Sequence, residues 1–309
     1  MIARFIKSAS LALLIFSLHI PAFAATCSCA GVPLLAFIDT SATEKGQLFI
    51  SYYAEYHQIN DLVSGSDDVN DETGRDRNTF SQVLSASYAL TDHWAISALA
   101  SYVKHNRTIG SSFLGKTTTS GISDSVILAR YTPVFITPFS RHALSLGLGV
   151  RIPTGEDDFG DTFVLSEDMQ PSTGAFGEIL WASYSYAFNQ AATVQLNTSV
   201  NYTFNEENDR QYAFGDEFNF ASGISQSIGT KFSYSAALRY RTTRADSRFG
   251  FAIPNTGGQW LDFIPAVQYA VNDHLNFGLS GRIPVARKLN GALQFTTSYS
   301  VAFSVSYGF

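Results

Sequence analysis

The last twelve residues alternate without a break. Tyr299, Val301, Phe303, Val305, Tyr307 and Phe309 interleave with Ser298, Ser300, Ala302, Ser304, Ser306 and Gly308. A period of two puts every large apolar side chain on one face of an extended strand and every small one on the other. Such a strand either buries its apolar face in a soluble core or turns it toward lipid. Length separates the two cases. Strands of soluble domains average about 5 to 6 residues, whereas a tilted strand that crosses a bilayer takes about 9 to 11. The same pattern recurs near 47–58, 79–90, 93–106, 121–134, 141–153, 174–188, 191–204, 216–228, 231–243, 258–271 and 273–285, and closes with 296–309. All of these segments are long enough to span a membrane.

The links between segments fall into two alternating classes. Thr91-Asp92, Asn189-Gln190, Gly229-Thr230 and Asn272-Asp273 read as tight turns, and the link between the fourth and fifth segments is only slightly longer. The others, 59–78, 107–120, 154–173, 205–215, 244–257 and 286–295, are long. Short periplasmic turns and long outer loops are the pattern of a bacterial outer-membrane barrel, and an even strand count places both termini on the periplasmic side. The expectation is an all-β, transmembrane, antiparallel β-barrel of about 12 strands over residues 47–309. A soluble sandwich would have to explain both the strand length and the two classes of link.

Composition agrees with this expectation. Charged residues make up 15% of the chain, against roughly 25% in a typical soluble domain. No apolar run reaches the roughly 18 residues of a membrane helix, so a helical bundle in lipid is excluded. The 25 Phe and 15 Tyr residues exclude disorder, and the 23 Gly and 9 Pro exclude a long coiled coil.

Arg4 and Lys7, then the apolar Leu11–Ile20, then Ala22-Phe23-Ala24 have the order of a secretory signal peptide, so residues 1–24 are read as a processing segment. Its removal takes away two cations and no acid, making the mature chain more acidic than the −6 of the whole sequence; nucleic acid is not an expected partner. Residues 25–46 precede the first strand and carry the apolar Val32–Ile38, which suggests a periplasmic segment that enters the lumen as a plug. Cys27 and Cys29 lie in an oxidising compartment as C-x-C, a spacing suited to a small strained disulfide or a soft metal; two ligands are too few to define a metal site. No cofactor is expected.

Parity assigns the two faces of each strand. Phe232, Tyr234, Leu238 and Tyr240 face lipid, which turns Arg239 and Arg241 inward; the same argument turns Arg151 and Arg282 inward. A lipid-facing Arg or Lys at mid-membrane costs roughly 2 to 4 kcal/mol, so the inward placement is favoured. Glu55 and His57 join these arginines at the outer end of the first strand, and Asp262 stands near the start of the tenth. The set is expected to line the lumen, where it either pairs internally or selects solutes. The outer loops carry acids, among them Asp67, Asp68, Glu72, Asp157, Glu167 and Asp168, expected to form a solvated surface bridged to lipopolysaccharide by divalent ions.

Three functions fit. The first is a channel for passive passage of a small, aromatic or hydrophobic solute. The second is a lipid-modifying enzyme of the outer membrane using His57 with Glu55 as a dyad, although spacing supplies no adjacent serine; the chain is read as a non-enzyme. The third is an accessory barrel with a metal or redox role for Cys27 and Cys29. The terminal Phe309 resembles the C-terminal aromatic residue by which outer-membrane proteins engage the barrel-assembly machinery.

Gly121-Ile-Ser-Asp124, Pro153-Thr-Gly-Glu-Asp157 and Gln170-Pro-Ser-Thr-Gly174 together resemble the outer-membrane family named after the MetA pathway of phenol degradation. The resemblance implies a barrel that passes small, often aromatic or hydrophobic compounds and supplies no catalytic residues. By strand position, Asp124 near the top of a descending strand and Pro153-Thr154-Gly155 at the end of a rising one beside it are expected to shape the outer mouth.

Overall fold

The computed structural model describes residues 44–110, 115–160 and 164–309, together with the short backbone strand Ala25–Thr26. Twelve barrel strands follow in chain order: β1 Leu48–Gln58, β2 Arg75–Ala89, β3 Trp94–Ile109, β4 in two segments (Lys116–Ile122 and Ser125–Val134), β5 His142–Ile152 and β6 Gly177–Ala187. Next come β7 Val194–Asn205, β8 Glu217–Ile228, β9 Phe232–Thr243, β10 Gly258–Ala270, β11 Leu275–Leu289 and β12 Tyr299–Gly308. Each strand pairs antiparallel with the next, and β12 pairs with β1 from Gln58↔Tyr299 to Phe49↔Gly308, so the sheet closes on itself. Closure leaves no unpaired edge, the condition that lets a sheet stand in lipid. Among the described residues no helix is long and apolar enough to cross a membrane.

The expected spans match these strands closely except at four outer ends, one of them β4, which begins at Lys116 rather than 121. β2 begins at Arg75, β3 runs to Ile109 and β11 to Leu289, beyond the ends at 79, 106 and 285 that alternation suggested. Apolar alternation stops where the outward face leaves lipid. The ladder continues above that level because inward Arg75, Arg77 and Arg287 find carboxylate partners there.

Outward positions expose Leu84, Ile127, Leu148, Leu238, Leu279 and Phe303. In water so continuous an apolar band would be an aggregation surface; around a closed barrel it is the lipid contact. At the periplasmic turns His93, His142 and His274 are held by the Thr132 carbonyl (2.7 Å), the Tyr184 hydroxyl (2.7 Å) and the Gly308 carbonyl (2.9 Å). Trp94–Tyr131 and Tyr307–Phe309 ring pairs at 4.8 and 4.7 Å continue an aromatic girdle at that end.

The outer rim carries two small sheets. Asp61–Ser64, Asp67–Val69 and Gln294–Thr296 form one, with Ala25–Thr26 parallel to Gln294–Phe295; Tyr212–Ala213, Ser247–Arg248 and Phe251–Ala252 form the other. The expected signal peptide (residues 1–24), Cys27, Cys29 and the apolar Val32–Ile38 lie outside the described residues, and the expected plug falls largely on them.

Candidate functional site

Cross-strand register assembles the inward charges on the wall formed by β8 to β12 and β1. Arg239 stands directly opposite Asp262, and Arg241 opposite Trp260. Arg239 Nη2 donates to Asp262 Oδ2 at 2.6 Å, and Arg241 Nε to Glu217 Oε2 at 2.7 Å, with the Arg241 guanidinium 4.6 Å above the Trp260 ring. One step round the barrel, Arg282 and His57 both face Ser300. Arg282 Nη2 and His57 Nε2 then meet Glu55 Oε1 at 3.2 and 3.1 Å, and the Ser300 hydroxyl donates to the same oxygen at 2.9 Å. Six of the eight residues singled out by parity, Glu55, His57, Arg239, Arg241, Asp262 and Arg282, therefore form one buried array.

The other two, Asp124 and Arg151, form a separate anchor. β4 breaks at Ser123-Asp124. The buried Asp124 carboxylate accepts hydrogen bonds from the Ser172 hydroxyl (2.5 Å) and the Thr173 hydroxyl (2.6 Å), with Arg151 Nε at 3.4 Å. A Cβ on Gly155 would sit 1.9 Å from the Ile122 carbonyl oxygen, so only glycine permits this approach. The three motifs that carry the family resemblance thus converge on one junction. Asp124, Ser172 and Thr173 are buried at that junction while Thr154 and Glu156 stay exposed, and the motifs clamp the ends of residues 153–176 against the inner wall.

The middle of that segment turns into the barrel. Its single helical turn, Glu167–Met169, brings Asp168 Oδ2 to 2.7 Å from Arg77 Nη1 and 3.8 Å from Arg75 Nη2, while Arg77 Nη2 donates to the Asp168 carbonyl. Thr119 Oγ1 donates to the Met169 carbonyl at 2.5 Å, and Met169 and Gln170 are fully buried. Arg210 reaches over from the next outer loop to Asp157 Oδ2 (2.7 Å) and to the Glu167 carboxylate. Asp157, Glu167 and Asp168 are therefore counter-ions rather than the solvated surface expected of them: Arg75 and Arg77 on β2 draw in Asp168, and Arg210 and Arg248 of the outer loops hold Asp157 and Glu167. Burial raises the Asp168 pKa, but Arg77, the Ser166 hydroxyl, Arg107 and Arg75 outweigh it and hold the carboxyl below its ordinary value. The Glu167 hydrogen bonds push Arg210 upward.

Sequence reasoning missed Arg77 and Glu217 and took Asp168 for solvated surface. Arg77 shares the parity of inward Thr79 and Ser81, a signal that appears only once β2 is extended backward.

The interior is not uniformly polar. Val83, Leu99, Val126, Leu128, Ile179 and Trp181 form one buried cluster on the inner face of β2 to β6, with Tyr53 against it. Its width depends on β5, where a Cβ on Gly149 would meet Leu128 Cδ1 at 2.8 Å and the Ile127 carbonyl at 2.9 Å. Trp181 also borders a chamber of about 500 Å³ on the periplasmic side, lined by Ser183, Asn197, Ser225, Ser235 and Gln268. Arg239 and Asp262 lie on the same inward rows of β9 and β10, toward the outside.

A dyad for lipid hydrolysis needs a hydroxyl that donates to the imidazole. Here Ser300 donates to Glu55, not to His57. His105 meets Thr79 Oγ1 at 2.8 Å, but both are buried. Among the described residues no group of three His, Cys, Asp or Glu side chains is arranged to hold a metal.

The family model for the MetA-pathway of phenol degradation matches residues 105–288. The chain belongs to this family. The match begins on β3, runs through the clamp motifs and the inward segment, and ends on β11. Among solved structures, the COG4313 outer membrane channel from Pseudomonas putida F1 is 12% identical, with a TM-score of 0.71 over 88% of this chain and 100% of that one. The β domain of the Bordetella autotransporter BrkA is also 12% identical, with a TM-score of 0.50 over 86% and 100%. Identity this low carries the fold alone, and the fold is that of an outer-membrane β-barrel. No curated protein matches the chain significantly.

Proposed function

We propose that this barrel is a passive, non-enzymatic outer-membrane channel for a small aromatic or hydrophobic solute. The observation that carries the reading is the order of environments along the lumen: ion pairs and an inward-folded loop in the outer half, then an apolar patch and a chamber of about 500 Å³ below them. That volume lies in the range of small-molecule sites, roughly 300 to 1,000 Å³. Glu55, His57, Asp124, Arg151, Arg239, Arg241, Asp262 and Arg282 are assigned the lumen-shaping role, Asp124 and Arg151 by clamping the inward loop. Lipid and lipopolysaccharide contact the outward faces, and the terminal strand ending in Phe309 engages the assembly machinery.

Liposome swelling tests this reading. Proteoliposomes challenged with a panel of sugars, amino acids and small aromatic compounds should admit aromatic solutes faster than sugars of equal size. Swelling no faster than that of empty liposomes with every solute would overturn the channel assignment.

A further inference from the structure

We infer that the lumen selects anions, so that its preferred solute is an organic anion joining one carboxylate-like group to an apolar body. This deepens the channel reading above and rests on it.

The first observation is a charge excess. Among the described residues nine arginines project inward from the barrel strands, and six carboxylates stand among them: Glu55, Asp61, Asp124, Asp168, Glu217 and Asp262. Of the remaining inward loop acids, Asp157 and Glu167 have Arg210 and Arg248 of their own, and the buried Asp246 accepts from the Tyr212 hydroxyl and the Gly215 amide, which narrows the excess of arginine without removing it. Lys104, Lys116 and Lys288 face out and add nothing to the inward charge. The excess is concentrated where β2 and β3 meet the inward loop. There Arg75 and Arg77 both reach the Asp168 carboxylate, and Arg107 Nη1 lies 3.4 Å from the Ser166 hydroxyl.

The second observation is unspent hydrogen-bonding capacity. The buried Nε atoms of Arg77, Arg239 and Arg282 have no partner. A guanidinium holds five donors in a rigid fork matched to carboxylate geometry. Sealed in the wall, these Nε–H groups offer no contact to a solute, but their uncompensated positive ends add to the potential that a permeating anion meets.

The third is the apolar cluster around Trp181, which lies periplasmic of the outer-half arginines, with Arg130 below it on β4. It would bury the hydrocarbon of a solute whose charged end stays with the arginines. The acidic outer loops do not reverse the selection. Asp67, Asp68 and Glu72 are exposed, and charges in water are screened beyond about 8 Å at physiological ionic strength. The lumen charges are buried and screened far less.

The test is the zero-current potential of the full-length barrel in a planar bilayer under a tenfold KCl gradient. Chloride should be preferred over potassium roughly tenfold, the low end of the enrichment produced by a cleft of one charge sign. Arg107→Gln removes one cation without stranding a carboxylate, and should lower that preference while leaving a conducting barrel. In liposome swelling, benzoate should enter faster than benzylamine of the same size. A conducting channel that prefers potassium, or one in which benzylamine outruns benzoate, overturns the inference and leaves the channel reading standing. A barrel that inserts and conducts nothing overturns both.

Discussion

Asp168→Asn is the most informative perturbation. The Arg77 side chain is 0% exposed, and its Nη1 lies 2.7 Å from Asp168 Oδ2. Removing one partner of a buried pair costs about 3 to 5 kcal/mol, since the other charge is left uncompensated in a weakly polarisable surrounding. With about 1.4 kcal/mol per decade, the equilibrium between docked and undocked loop shifts by roughly two to four decades. The Asn side chain keeps the shape, and the closed ladder of twelve strands is untouched, so the barrel should still fold. The ends of the loop should also stay clamped, because Asp124 holds Ser172 and Thr173 independently. The Glu167–Met169 turn, left to its contacts with Thr119, Arg210 and Arg248, is the part that loosens from the wall, unveiling Arg75, Arg77 and Arg107. Single-channel recording should show higher conductance, flicker between two levels and stronger chloride preference. Limited proteolysis should cut near residue 168 in the variant and not in the wild type. Unchanged conductance together with an uncut loop would refute the claim that this ion pair holds the constriction.

Two further outcomes follow from particular contacts. Gly149→Val forces side-chain atoms into Leu128 and the Ile127 carbonyl; a destabilisation of about 1 to 3 kcal/mol is expected, read as a lower urea midpoint for barrel unfolding, and an unchanged midpoint would contradict the close packing of β4 on β5. The latch should also be pH-dependent: a carboxyl depressed in the docked state stabilises docking above the ordinary value of 3.8 and loses that contribution as pH falls through its own lower value. Conductance should therefore be level from pH 7 to 5 and rise only in strong acid, below about pH 4; a rise already near pH 6 would show that another group holds the loop.

Alternation alone determined the barrel, its twelve strands and the inward placement of Arg151, Arg239, Arg241 and Arg282. These properties follow from the geometry of a pleated strand between two solvents, where each side chain must choose a face within its own two-residue period. The Glu55–His57 pair was legible for the same reason, being two residues apart on one face. Only the tertiary structure decided where residues 153–176 go. No period marks a loop, and its direction depends on contacts between residues far apart in sequence: Arg77 with Asp168, Thr119 with Met169, Arg210 with Asp157 and Glu167. The acids of that loop looked like solvated surface because their partners lie up to 91 residues away. Asp124 and the glycine-rich motifs were visible as a family signature, but their work, closing a clamp around a backbone carbonyl, depends on distances that a linear sequence does not contain.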